Sequence, residues 1–121
     1  METRRFEQLV RRAINELPPV FLERMENVDV VVEYWASREQ LIGSGLDERE
    51  MLLGLYEGIP LPDRYDYNLV LPDKITLFQR AIESICSTDE EVVTEVRATI
   101  IHEVAHHFGI DDEALHEIGI D

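Results

Sequence analysis

The longest helix that this sequence predicts has one apolar side, suited to a protein core, and one polar side, suited to solvent. Between Thr88 and Phe108, apolar residues recur every three or four positions, and glutamates occupy the first turn. Ser87 or Thr88 is placed to cap this helix, and Gly109 is placed to end it in a left-handed conformation. We therefore expect one arc to face a core and the other to face a cleft. The apolar arc consists of Val93, Val96, Ile100, Ile101, Val104 and Phe108.

Further helices are predicted at both ends of the chain. Residues 3–17 carry apolar side chains at helical spacing and charged side chains between them, which is typical of an amphipathic helix. Two prolines stop that helix, and Pro19 can open a short second one. Another short helix is predicted over residues 79–86, and a last one after Asp111 or Asp112. The apolar positions of the first helix are Phe6, Leu9, Val10, Ala13, Ile14 and Leu17.

Three short segments rich in β-branched and aromatic residues predict strands. The first is expected to be central, because residues 30–32 are apolar on both faces. Gly54 indicates a bulge or a close approach of another backbone in the second. Residues 37–50 and 60–73 are predicted loops, and the order of elements predicts one α+β domain over residues 1–121. The three strand segments are residues 28–35, 52–57 and 74–78.

The charge balance narrows the classes of partner. Eleven basic and 26 acidic side chains give a formal net charge of −15. Such a field repels phosphate groups, so we expect neither nucleic acid nor a membrane as partner, whereas a bound cation is favoured. No apolar run approaches the roughly 20 residues of a membrane span, and the charged N-terminus lacks the apolar core of a signal peptide. With Cys86 as the one cysteine, the expected location is cytoplasmic.

The polar arc of the long helix carries two histidines in the pattern HExxH. Residues four apart lie on one face of a helix, so His102 and His106 can aim two imidazoles at one point, and zinc accepts such ligands. Glu103 lies about 100° around the helix from His102, where it can reach a water molecule without occupying a ligand position. The pattern is that of a zinc hydrolase whose glutamate takes a proton from water. The alternative is an exposed polar face that matches by coincidence.

A catalytic zinc site usually has a third protein ligand. Gly109 allows a sharp turn after the helix, and Asp112 can then return to the metal, which completes the string H-E-x-x-H-x-x-G-x-x-D. By chance, HExxH occurs in about 2% of such chains, and the full string in fewer than about one in ten thousand. Asp111 competes with Asp112, although the spacing favours Asp112. His116 is either an alternative ligand or transition-state donor, or an exposed helix histidine.

Other polar residues are weaker candidates. His107 points about 100° away from His106, so we expect it at the edge of the core or in solvent. Cys86 is interpreted as a buried apolar thiol. Peptide hydrolysis also needs a group that stabilises the oxyanion. The residues in or near loops that could assist, each expected to be structural instead, are Tyr56, Arg64, Tyr65 and Tyr67.

Most of the chain resembles a known family, most strongly from Leu52 onward. The segments LLGLYEGIPL, DKITLF and IIHEVAHHFGIDDEAL are similar to small bacterial proteins described as minimal zincin-like metallopeptidases. The G-x-x-D extension also resembles metzincin-like enzymes that use aspartate as third ligand. The resemblance implies an α+β zincin-like fold, with a small three- to four-stranded sheet packed against an active-site helix and an N-terminal amphipathic helix.

The same resemblance implies site residues and an activity. His102, His106 and Asp112 would be the zinc ligands, and Glu103 the general base. The predicted function is a zinc-dependent metallopeptidase that cleaves peptide or protein substrates with a metal-activated water. Only nine residues follow Asp112, so we expect no methionine turn and an open, shallow site.

An alternative function is a non-catalytic zinc-binding or peptide-binding module of the same fold. Glu103 favours the enzyme, because a structural metal does not need a base beside its ligands. The open site favours the module. A zinc ribonuclease is a third possibility, which the net charge disfavours.

Overall fold

The order of elements agrees with the α+β class that the sequence predicts. The computed structural model describes residues 1–45, 51–58, 71–110 and 113. In this part of the chain, helices pack against a small mixed sheet. The elements are α1 (Thr3–Asn15), α2 (Pro19–Arg24), β1 (Val28–Glu33), α3 (Arg38–Gly43), β2 (Gly54–Glu57), β3 (Asp73–Phe78), α4 (Gln79–Ser84) and α5 (Asp89–His107).

The sheet has the order β1-β3-β2, with β1 parallel and β2 antiparallel to β3. The prediction of a central first strand is therefore wrong for the described sheet. β3 occupies the central position, where its residues from Ile75 to Phe78 are completely buried. The valines of β1 are only half-buried. Polar Asp29 and Glu33 are exposed on β1, and such residues suit an edge strand.

The core lies between the sheet and the two long helices, α1 and α5. Phe6, Leu9, Val10 and Ala13 of α1 are buried, as their spacing predicts. Burial of each large apolar side chain contributes about 1.5–3 kcal/mol, so this face holds α1 on α5. Two ion pairs also connect α1 with the first turn of α5. Arg5 pairs with Asp89, and the Arg12 guanidinium lies 2.6 Å from a carboxylate oxygen of Glu90.

Two other predictions differ from the structure. The sequence predicts a loop over residues 37–50, but α3 begins there with a capping box in which Ser37 and Gln40 bond each other's backbone N–H groups. Phe108 is predicted on the buried arc, but it lies past the end of α5, is 39% exposed and packs under the guanidinium of Arg24. Most of the loop predicted over residues 60–73 lies outside the described residues, and so does the predicted last helix apart from Glu113. None of the described helices combines the length and apolarity that a membrane span requires.

Candidate metal centre

Helix α5 carries the HExxH pattern, and both of its ends are defined by local hydrogen bonds. At the start, the Thr88 side chain accepts a hydrogen bond from the backbone N–H of Glu91. At the end, Gly109 adopts a positive φ of 70°. The backbone N–H of Ile110 then donates to the carbonyl oxygen of Ala105 at 2.7 Å. The backbone N–H of Gly109 donates to the carbonyl oxygen of His106 at 3.3 Å. This is a Schellman motif, and it turns the chain sharply just after the second histidine.

The polar arc of α5 opens on a cavity. His102 and His106 are exposed, and Glu103 between them is half-buried. All three line one cavity of about 530 Å³, together with residues of β2 and of the end of α3. The opposite arc is buried in the core from Val93 to Val104, as predicted. The helix therefore divides its surface between the core and a cleft.

Strand β2 contacts the cleft side of α5 through its backbone. The backbone N–H of Tyr56 donates a hydrogen bond to Oε1 of Glu103, with an N···O distance of 3.0 Å. Two residues earlier, Gly54 lies against Thr99 of α5. From Gly54 to Tyr56 the strand rises about 6.6 Å, and from Thr99 to Glu103 the helix rises about 6 Å. The two contacts are therefore equally spaced along both elements, which run side by side. This contact fixes the Glu103 carboxylate to the sheet.

The side chain of Tyr56 forms a second set of contacts at the cavity wall. Its hydroxyl donates to Oδ2 of Asp73 at 2.6 Å, and its ring stacks on that of His107 with centroids 3.9 Å apart. Burial, and then the bond to Asp73, raise the pKa of Tyr56 well above its usual value. The hydroxyl therefore stays protonated, and its one proton is engaged by Asp73. In this arrangement the hydroxyl has no second proton to donate to an oxyanion, and the structural role expected of Tyr56 stays a prediction.

His107 is exposed, which is one of the two positions that the sequence predicts for it, and it also lines the cavity of His102 and His106. Stacking on Tyr56 turns the imidazole toward the strand, and its Nε2 lies 4.0 Å from Oδ2 of Asp73. No sequence pattern indicates this arrangement, because the stacking partner is distant along the chain.

Part of the cavity lining comes from an unexpected part of the chain. Gly43 and Ser44, at the end of α3, line the cavity that contains the two histidines. The open, shallow site that the sequence predicts follows from the few residues after Asp112, whereas Gly43 and Ser44 lie much earlier in the chain. The capping pattern Ser37-x-x-Gln40 was the signal that predicts α3.

The residues that are described fit a zinc ion in part. Two exposed imidazoles one turn apart in one cavity are nitrogen donors of the kind that zinc accepts. Glu103 accepts a hydrogen bond from the backbone of β2, which suits a residue that is not a metal ligand. Within the described ranges, no three histidine, cysteine, aspartate or glutamate side chains group as metal ligands. Asp112, the predicted third ligand, lies outside those ranges, as do Asp111 and His116.

The turn after α5 leads to a stability prediction. Gly109→Ala is expected to lower the free energy of unfolding by about 1–2 kcal/mol, because an alanine is strained at positive φ. Among the described residues, no atom lies within 4 Å of the added Cβ, so the expected loss comes from the backbone. Urea titration measures the effect. Gly109→Asn should lose less, since asparagine tolerates this conformation, and an alanine variant as stable as wild type would contradict the assignment.

Comparisons with known proteins agree with this architecture. The family model described as zincin-like metallopeptidase matches residues 25–120. A solved structure of a conserved hypothetical protein from Thermus thermophilus is similar in fold, with a TM-score of 0.59 and 24% sequence identity. That match covers 89% of this chain and 94% of the other. No curated protein matches the sequence. Because the family model covers most of the chain, from the residue after α2 through the motif helix, this protein belongs to the zincin-like metallopeptidase family.

Proposed function

We propose that this chain is a zinc-dependent peptidase. His102 and His106 would hold the metal together with Asp112, and Glu103 would act as general base. One observation carries the proposal: the motif helix presents both histidines and the glutamate to a single cavity, with the glutamate already bonded elsewhere. A residue held in this way can act beside the metal without competing for it.

The role of Glu103 follows from its two oxygens. Oε1 accepts the backbone N–H of Tyr56, and Oε2 takes no part in that bond, so Oε2 would be the oxygen that transfers the proton. When bound, zinc would acidify a water molecule and polarise the substrate carbonyl group. Glu103 would take the proton at Oε2 and deliver it to the leaving amine, which is the usual sequence of general base and general acid.

The surroundings of the site support a peptide as substrate. A second cavity of about 550 Å³ adjoins the first and shares Gly43, Ser44, Leu55 and Tyr56 with it. Residues of β2 and of the end of α3 therefore line both cavities, and the histidines line the first. A peptide in extended conformation would lie along both. The net charge of −15 does not favour a nucleic acid in the same place.

A non-catalytic zinc-binding or peptide-binding module is the second candidate. The observation that favours it is the hydrogen bond between Tyr56 and Glu103, because that bond gives the glutamate a structural use as well. The presence of Glu103 beside the histidines is then no proof of catalysis. The peptidase and the zinc-binding module both require the metal, and only the peptidase requires a carboxylate oxygen that can transfer a proton.

Zinc content is the first test. Protein reconstituted with zinc and desalted should contain about one zinc per chain by elemental analysis. His102→Ala or His106→Ala should lose most of it, and Asp112→Ala should bind more weakly, since water can replace one ligand. Asp111→Ala is the matched control and should bind as wild type does. Wild type without zinc would refute the proposal, and a larger loss in the Asp111 variant would reassign the third ligand.

Cleavage is the second part of the test. Zinc-loaded wild type is incubated with a broad library of unstructured peptides, and new termini are identified by mass spectrometry. His106→Ala, purified in the same way, reports contaminating proteases. Cleavage by wild type alone would support the peptidase. Equal cleavage by both proteins, or by neither, would favour the module.

A further inference from the structure

We propose that Tyr56 is the positioning residue for the Glu103 carboxylate. Its backbone N–H holds Oε1, and its side chain, fixed by Asp73 and His107, keeps that N–H in place against α5. The inference rests on the proposed function of Glu103 as general base. It assigns different tasks to the two carboxylate oxygens, one of which is held by the strand while the other is free to exchange a proton.

The register of the sheet explains why this N–H is available. The carbonyl oxygen of Leu53, just before β2, accepts a hydrogen bond from the backbone N–H of Phe78 at the end of β3. Leu53 and Phe78 therefore form a hydrogen-bonded pair. In an antiparallel ladder, such pairs alternate with pairs that are not hydrogen-bonded. Leu55 and Glu57 therefore bond β3, while the N–H of Tyr56 points away from the sheet. Glu103 is the acceptor that meets it, 47 residues later in the chain.

The side chain of Tyr56 fixes the position of that N–H from two directions. Its hydroxyl donates a hydrogen bond to the Asp73 carboxylate at 2.6 Å. The backbone N–H of Asp73 in turn donates to the carbonyl oxygen of Asn27. Its ring stacks on His107 at an interplanar angle of 19°. Glu103 and His107 are one turn apart on α5. One strand residue thus contacts two successive turns of the motif helix.

This arrangement has a consequence for catalysis. A hydrogen bond from N–H to a carboxylate is charge-assisted and directional, so it restricts rotation of the carboxylate about its last bond. Proton transfer depends on the acceptor being within hydrogen-bond reach of the water. Loosening Tyr56 should therefore slow the chemical step more than it weakens substrate binding.

Amide exchange tests the contact without requiring activity. In protein purified without added metal, NMR should show the Tyr56 amide protected from exchange, although it points away from β3. Glu103→Ala should accelerate exchange at residue 56 by about tenfold or more. Glu103→Gln keeps an oxygen acceptor and should retain protection. The amides of Leu55 and Glu57 serve as internal controls, because β3 protects them. Unchanged exchange at residue 56 in Glu103→Ala would overturn the proposal.

The side chain is tested by Tyr56→Phe, which removes only the hydroxyl. Exchange at residue 56 should accelerate while that at residues 55 and 57 stays unchanged. On a cleaved peptide, kcat should fall several-fold with KM nearly unchanged. Tyr34→Phe, at an exposed tyrosine outside the cavity, should match wild type. Equal acceleration at all three amides would show mere strand stability and overturn the proposal. Selective acceleration in a protein that cleaves no peptide would instead support the positioning contact and refute the proposed peptidase.

Discussion

Glu103→Gln is expected to lower peptide cleavage by about 10²–10⁴-fold and to leave the zinc content unchanged. The glutamine oxygen can still accept the backbone N–H of Tyr56, so the side chain should keep its place. It cannot take a proton, because an amide is not basic at neutral pH. Stability should hold or rise slightly, since a half-buried charge is removed.

Glu95→Gln provides the matched control. Glu95 is half-buried on the same helix about two turns earlier, and it does not line the cavity of the histidines. The substitution changes the net charge equally, so zinc content and cleavage should both match wild type. If Glu103→Gln cleaves as wild type does, the activity belongs to another site and the module is supported. If it loses zinc instead, Glu103 is a ligand.

Features that depend on neighbouring residues could be predicted from the sequence. The start of α5 at Thr88 and its end at Gly109 follow from capping chemistry within a few residues. The division of α5 into a buried and an exposed arc follows from its period, and so does the buried face of α1. The presence of His102 and Glu103 in a common cavity depends on the same helical geometry.

Features that depend on distant residues were missed or misplaced. The central strand could not be identified from the valines of β1, because strand order is a property of the assembled sheet. The bond from Tyr56 to Glu103 uses a main-chain N–H, which every residue except proline carries, so no side-chain pattern indicates it. For α3 the signal was present in Ser37 and Gln40, but the glycines after it favoured a loop.

Gly54 is unusual for a strand residue, as the sequence indicates, and the structure gives the reason. A Cβ built on Gly54 would lie 2.6 Å from Cγ2 of Thr99 and 3.2 Å from the carbonyl oxygen of Thr76. The close approach is therefore between β2 and the side chain of a residue on α5, and Gly54 belongs to a regular antiparallel ladder rather than to a bulge. The absent side chain lets β2 lie near enough for Tyr56 to reach Glu103.

Gly54→Ala is accordingly expected to destabilise the fold by about 2 kcal/mol, within the range for an overpacked core. For a chain of 121 residues, this lowers Tm by roughly 6–12 °C. Thr99 is itself buried and cannot move aside without shifting α5. Thermal and urea unfolding measure the change. Gly43→Ala is the control, because no atom of the part of the chain that the structure describes lies within 4 Å of its added Cβ, and it should not destabilise the protein.

A double-mutant cycle identifies the clash as the cause. Thr99→Ser removes the Cγ2 methyl and keeps the hydroxyl, so on its own it should cost about 0.8 kcal/mol for one lost buried methyl group. Combined with Gly54→Ala, it should restore about 1 kcal/mol relative to the sum of the single variants. The remaining loss would come from the 3.2 Å approach to the carbonyl oxygen of Thr76, which no side-chain change relieves. Additive effects would show that the loss at Gly54 arises from the backbone and not from the helix that carries the histidines.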